Sequence, residues 1–303
     1  MGILGIDIGG TSIKAGKTDN EGNIEIFREF ESDGRQGADR LMKRLFRIIA
    51  EFDDFEKIGI STAGQVNHTD GSILFANNNI PGYTGVELKS IIENQFQRSV
   101  KVENDVNAAA LGEKFFGAGK LYRDYLCLTY GTGIGGSIIM NSKVYRGNNG
   151  SAGEFGHILT HPSGLLCNCG GRGCYEVYAS TSALIRKAME IDNSLDNGRM
   201  ILASYNEGNS RLKKAIKDWT DEIANGIVSL IHIFNPPLII LGGGIMEQDL
   251  VVKLVSEKVQ QMIMDSYKDV KIVKASLGNK AGVLGAVSLF LEQVEGRVAD
   301  GKN

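Results

Sequence analysis

At 303 residues, with 42% hydrophobic and 23% charged side chains, the chain can bury one large or two medium cores, and two domains are expected. Its net charge of −3 supplies no bulk basic face, so nucleic acid is not an expected partner. The N-terminus lacks a basic segment followed by an apolar stretch and a cleavage site, and the apolar stretch Ile227–Ile245 is broken by His232, Asn235, Pro236, Pro237 and three glycines. A soluble, cytoplasmic protein with no membrane partner is the expectation. Met1-Gly2 does not open a myristoylation signal, because position 6 is Ile rather than Ser or Thr.

In chain order, Gly2–Ile8, Ser12–Thr18 and Asn23–Phe30 read as strands with turns at Gly9-Gly10 and Asp19-Asn20-Glu21-Gly22, and an amphipathic helix follows over Gly37–Glu51. Strands at Lys57–Ser61 and Val100–Glu103 flank a helix near Gly85–Gln97, and a further helix runs from about Asp105 to Phe116. The pattern then restarts with strands at Tyr125–Tyr130, Gly135–Asn141 and Lys143–Arg146, followed by a cysteine-rich loop, several helices and the strand Leu238–Leu241. Cys127, in an apolar strand, reads as a core thiol. The restart predicts two similar α/β domains with a cleft between them, residues 1–117 and 118–281, with a boundary near Gly117–Tyr122. The last helix, near Ala281–Gln293 in a C-terminal segment of about 282–303, is expected to pack back onto the first domain.

Three of the four cysteines fall within eight residues, Cys167, Cys169 and Cys174, ten residues after His157 begins the count. Cys-x-Cys and Cys-x4-Cys spacing around glycines suits a closed tetrahedral zinc site of Cys167, Cys169, Cys174 and His157, which would be structural. A buried thiol cluster or a disulfide is the plainer alternative. Three glycine turns follow strands: Asp7-Ile8-Gly9-Gly10-Thr11-Ser12-Ile13-Lys14, then Gly131-Thr132-Gly133 within Tyr130–Gly136, then Leu241-Gly242-Gly243-Gly244, which is expected to enter a helix. Their amides can approach phosphate oxygens, and Asp7 can hold magnesium directly or through water. None has the Walker or dinucleotide spacing. Together they read as clamps on a nucleotide.

Asp7–Lys14, Glu103-Asn104-Asp105-Val106-Asn107, Gly131–Gly136, Glu154-Phe155-Gly156-His157, Cys167–Glu176 and Gly242–Gly244, in this order, resemble the ROK family of sugar kinases and repressors. The resemblance spans nearly the whole chain. It implies the actin-like, hexokinase-type ATPase fold and an ATP-dependent sugar kinase using ATP, Mg²⁺ and structural Zn²⁺. It further implies that Asp105 is the general base and that Asn104, Asp105, Glu154, His157 and Glu176 contact the sugar, with Gly64 and Asn79 also on the substrate side. Asp7, Gly9, Gly10, Thr11, Lys14, Gly131, Thr132, Gly133, Gly242 and Gly243 would serve ATP and magnesium. Lys14 reads equally as a solvated strand lysine, and a plain N-cap is the bland reading of Asp105. Tyr83 stands where family members often have Trp, at the edge of the expected pocket. Family repressors carry a DNA-reading segment ahead of the first turn, for which Asp7 leaves no room.

The expected activity is phosphorylation of a hexose 6-hydroxyl, of glucokinase type, in a homodimer. N-acetylmannosamine kinase or another hexose or β-glucoside kinase is the alternative. Some N-acetylmannosamine kinases have His where Glu154 stands. A non-catalytic sugar-sensing regulator is the alternative of a different class. Because Gly133 must let backbone amides approach ATP, Gly133→Val is expected to weaken ATP and spare the sugar. Because the phosphate turns lie away from the cysteine loop, ATP binding should outlast sugar binding when zinc is removed.

Overall fold

A computed structural model describes residues 2–19 and 21–291; Met1, the turn residue Asn20, and the part of the expected last helix in 292–303 lie outside the described residues. The first series of elements is β1 (Gly2–Ile8), β2 (Ser12–Thr18), β3 (Ile24–Glu31), α1 (Ala38–Ile49), β4 (Phe55–Thr62), β5 (Gln65–Val66), β6 (Ile73–Phe75), α2 (Leu88–Phe96), β7 (Ser99–Asn104) and α3 (Asp105–Phe116). The second is β8 (Tyr125–Tyr130), β9 (Ile134–Met140), β10 (Lys143–Val144), α4 (Glu176–Ala179), α5 (Thr181–Met189), α6 (Gly198–Asn206), α7 (Ser210–Phe234), β11 (Leu238–Gly242), α8 (Asp249–Met262), β12 (Lys271–Lys274) and α9 (Ala281–Ser288). The short hairpin of β5 and β6 and the edge strand β12 are too brief to stand out in the sequence pattern.

The two five-stranded sheets share one plan, β3-β2-β1-β4-β7 and β10-β9-β8-β11-β12. In each, an antiparallel hairpin, β1 with β2 or β8 with β9, is extended by parallel strands. Central β1 and β8 are buried almost throughout, as expected of strands paired on both edges and covered on both faces. Helix α1 buries Leu41, Leu45, Ile48 and Ile49, spaced three or four apart, against the first core. The long apolar stretch that begins at Ile227 resolves into two elements: α7 ends at Asn235, which is left-handed at φ 44°, and Pro236-Pro237 then leads into β11. Cys127 is buried in β8.

The chain divides into two compact units, one taking the described residues of Met1–Lys120, Val144–Ala152 and Asn279–Asn303, the other Leu121–Lys143 and Gly153–Gly278. The return of Val144–Ala152 to the first unit has no counterpart in the strand pattern. Within the first unit α9 lies against β1, β4 and α3. Glycine makes that approach possible: a Cβ on Gly59 would overlap the Ala286 carbonyl, and one on Gly285 would overlap the Ala108 carbonyl. Among the described residues, no helix is long and apolar enough to cross a membrane.

Candidate active site

In the first unit, strand register builds a polar row across the sheet: Lys14 of β2, Asp7 of β1, Ser61 of β4 and Glu103 of β7 stand level with one another. Ser61 Oγ donates to Asp7 Oδ1 at 2.7 Å. Burial raises the Asp7 pKa above the ordinary carboxylate value, an effect partly offset by Ser61 and by the Lys14 charge. The turn after β1 closes with Gly9 N donating to the Ser12 carbonyl at 2.9 Å, and Ser32 Oγ donates to the Gly10 carbonyl at 2.9 Å. Thr11 is exposed beyond it.

Beside this row β7 hands over to α3. The helix cap is Asn104, not Asp105: its Oδ1 accepts from Val106 N at 3.0 Å and Asn107 N at 3.1 Å, while Asp105 is the first helical residue. Asn104 Nδ2 donates to Asp105 Oδ1 and to the Gly64 carbonyl, each at 2.9 Å, so three of the expected substrate-side residues are joined directly. Asp105 keeps part of its surface in solvent, yet the surrounding protein and then the Asp7 charge push its carboxyl up to about 7. Asn79 is exposed, and its Cβ lies 3.8 Å from where a Cβ on Gly10 would stand. Tyr83 is 1% exposed, in the core, with its hydroxyl 2.8 Å from Thr62 Oγ1.

Two residues to which the sequence reading assigns no role hold this corner. Glu103, 2% exposed, accepts from Asn104 N at 3.0 Å and Asn107 Nδ2 at 3.2 Å through Oε1, and pairs with Arg146 through Oε2. The strand register could have flagged Ser61 and Glu103, since both stand level with Asp7. Nothing local points to Arg146.

In the second unit, His157, Cys167, Cys169 and Cys174 converge, with one ligand atom from each lying within 4.8 Å of the others. Cys169 Sγ and Cys174 Sγ are 3.6 Å apart, and Cys167 Sγ is 3.7 Å from His157 Nδ1. A tetrahedron of Zn–S bonds near ~2.3 Å places its sulfurs roughly 3.8 Å apart, so the donor set fits zinc with no open position. Burial pushes the Cys167 thiol up to about 12 and raises that of Cys174, whereas the Gly171 amide lowers that of Cys169. With Nδ1 facing the thiols, Nε2 of His157 faces Glu154, whose Oε2 is 3.9 Å away. Glu176, at the start of α4, approaches His157 Nδ1 at 3.9 Å and accepts from Cys167 Sγ at 3.2 Å.

The second and third glycine turns adjoin in this unit. Gly131 and Thr132 are exposed at the tip of the hairpin between β8 and β9, where Gly131 N donates to the Gly133 carbonyl at 3.0 Å. Gly242 is level with Thr129, and a Cβ on Gly243, at φ 99°, would overlap the Tyr130 carbonyl. The third turn enters a 3₁₀ turn, Gly244–Glu247, and not directly the helix α8. A Cβ on Gly133 would overlap Glu176 Oε2, which itself accepts from Ile134 N at 3.3 Å. The glycine turn and the expected sugar glutamate are therefore in contact.

The ROK family model matches residues 3–293. The chain is 36% identical to a glucokinase of Streptomyces coelicolor, over 96% of this chain and 98% of that protein. It is 32% identical to the xylose repressor of Bacillus subtilis, over 95% of this chain and 77% of the repressor. The crystal structure of a ROK family glucokinase from Streptomyces griseus in complex with glucose and AMPPNP superposes with a TM-score of 0.85 at 34% identity, covering 95% of this chain and 99% of that one.

Proposed function

The chain belongs to the ROK family and has the actin-like, hexokinase-type ATPase fold, and from that premise we propose that it is a cytoplasmic, ATP-dependent sugar kinase that phosphorylates a hexose 6-hydroxyl, with glucose as substrate. The observation that carries this reading is Asp105: a carboxylate at the N-terminus of α3, held by Asn104 and Val106, with its pKa drawn up to about 7. That is a base poised near neutral pH, able to orient the sugar hydroxyl and take its proton as the phosphoryl group leaves ATP. Asn104, Glu154, His157 and Glu176 are the proposed sugar contacts, since amides and carboxylates can each bind two neighbouring hydroxyls.

The half-buried carboxylates Asp7 and Asp105, with Lys14 as the cation acting on Asp7, suit a hard divalent ion, and Asp7 with Ser61 behind it is the proposed holder. Asp7 and Ser61 would hold magnesium there, and the ion would supply neutralisation of phosphate charge. Amides of the turns at Gly9–Thr11, Gly131–Gly133 and Gly242–Gly243 are the proposed nucleotide contacts. His157, Cys167, Cys169 and Cys174 are the proposed zinc ligands.

The similarity to a xylose repressor favours one second reading, a sugar-binding regulator without turnover. A coupled ADP-release assay over glucose, N-acetylmannosamine, N-acetylglucosamine, mannose, fructose, allose and β-glucosides separates the readings. Turnover on glucose is expected; turnover only on N-acetylmannosamine or a β-glucoside reassigns the substrate. Sugar binding without ADP release on any of them leaves the regulator.

A further inference from the structure

The segment that follows the cysteine loop is fastened to the glycine turn after β8 at four places. Tyr130 and Tyr175 hydroxyls are 2.8 Å apart, both side chains fully buried. Tyr175 gives its single proton to the Ile223 carbonyl at 2.8 Å, so Tyr130 is the donor to Tyr175. One residue on, Glu176 Oε2 accepts from Ile134 N. Thr181 Oγ1 then donates to the Tyr130 carbonyl at 3.1 Å, and Ser182 N donates to the Gly131 carbonyl at 3.3 Å. Tyr175 itself is seated where α7 has no side chain, since a Cβ on Gly226 would overlap its ring. At its other end the same segment begins at Cys174, one of the four metal-fitting residues.

Resting on the kinase reading above, we propose that the segment Cys174–Ser182 is the support that holds the Tyr130–Ile134 turn in shape for a nucleotide. Tyr175 and Tyr130 are then positioning residues, and the Cys/His site stabilises nucleotide binding as well as sugar binding. The physical reason is that an exposed glycine-rich tip has little intrinsic preference for one conformation. Its order is set by fixed groups at its base, and here these are the two tyrosines, Glu176, Thr181 and Ser182. The order of loss expected from sequence alone, with ATP binding outlasting sugar binding on zinc removal, is thereby replaced by joint loss.

The test uses the full chain with metal content measured first. Amide hydrogen exchange is followed over residues 131–137, and a non-hydrolysable ATP analogue with magnesium is titrated calorimetrically, before and after zinc chelation and in Tyr175→Phe. That variant keeps the ring against Gly226 and removes only the oxygen. Chelation and Tyr175→Phe should each speed exchange in the turn and weaken the analogue by about tenfold, the scale of one positioning hydrogen bond. Should Tyr175→Phe fail to fold, Tyr130→Phe removes the same bond from the other side and leaves the cysteine loop intact. Unchanged exchange and unchanged analogue affinity in zinc-free protein that has lost glucose affinity would overturn the proposal. Native protein that binds no nucleotide would instead sink the kinase reading, and the exchange measurement would still decide whether the loop supports the turn.

Discussion

Replacing Asp105 with Asn removes the proton acceptor while leaving an oxygen for Val106 N and Asn104 Nδ2. Turnover should fall by roughly 10²- to 10⁴-fold with sugar affinity little changed, the range for loss of a general base. The structure adds a pH signature. A carboxyl drawn up to about 7 is mostly protonated at lower pH, so kcat/KM should lose about tenfold for each pH unit below that value. The limb belongs to the Asp7–Asp105 pair, and Asp7→Asn should move it to lower pH, because the Asp7 charge is a cause of the rise.

Stability runs the opposite way with pH. A pKa raised in the folded state from 3.8 to about 7 gives stability that is full below the unfolded value and is lost as pH rises through the folded one. About three units at ~1.4 kcal/mol each bounds the loss near 4 kcal/mol, and the solvent reaching this half-buried residue reduces it. Asp105→Asn should therefore be less active yet more stable than the native chain above neutral pH. The assay is coupled ADP release across pH, paired with urea unfolding at two pH values. Near-native turnover in Asp105→Asn, or kcat/KM flat from about pH 5.5 to about pH 8, would refute the assignment of the base.

Arg146→Met should cost about 3–5 kcal/mol, because it strands the buried Glu103 charge; the double variant with Glu103→Gln should recover part of this in urea titrations. Gly133→Ala should weaken glucose as well as the ATP analogue by calorimetry, since the added methyl meets Glu176; loss of nucleotide affinity alone would count against that contact. Gly59→Ala should lower the thermal midpoint, by overpacking of about 1–3 kcal/mol or more, because its Cβ meets backbone of α9 that cannot rotate away.

What can be read along the chain is what local chemistry sets. Cys167, Cys169 and Cys174 lie within one turn-forming stretch, so their convergence follows from spacing, and α1 follows from apolar residues three and four apart. The glycine turns at the ends of β1, β8 and β11 were legible for the same reason: a tight turn imposes its residue types on the positions that make it. Which groups those turns meet was not legible. Ser61 reaches Asp7 through the register of parallel strands 54 residues apart, and Tyr175 reaches Tyr130 across 45. Arg146 finds Glu103 because Val144–Ala152 folds with the first unit despite its place in the sequence. Gly133 faces Glu176 and Gly59 faces Ala286 only once the layers pack. Residue preferences act over a few positions, whereas these pairings are selected by how whole elements bury their apolar faces. The tertiary structure therefore decided which glycine is needed for approach and which carboxylate becomes a base near neutral pH.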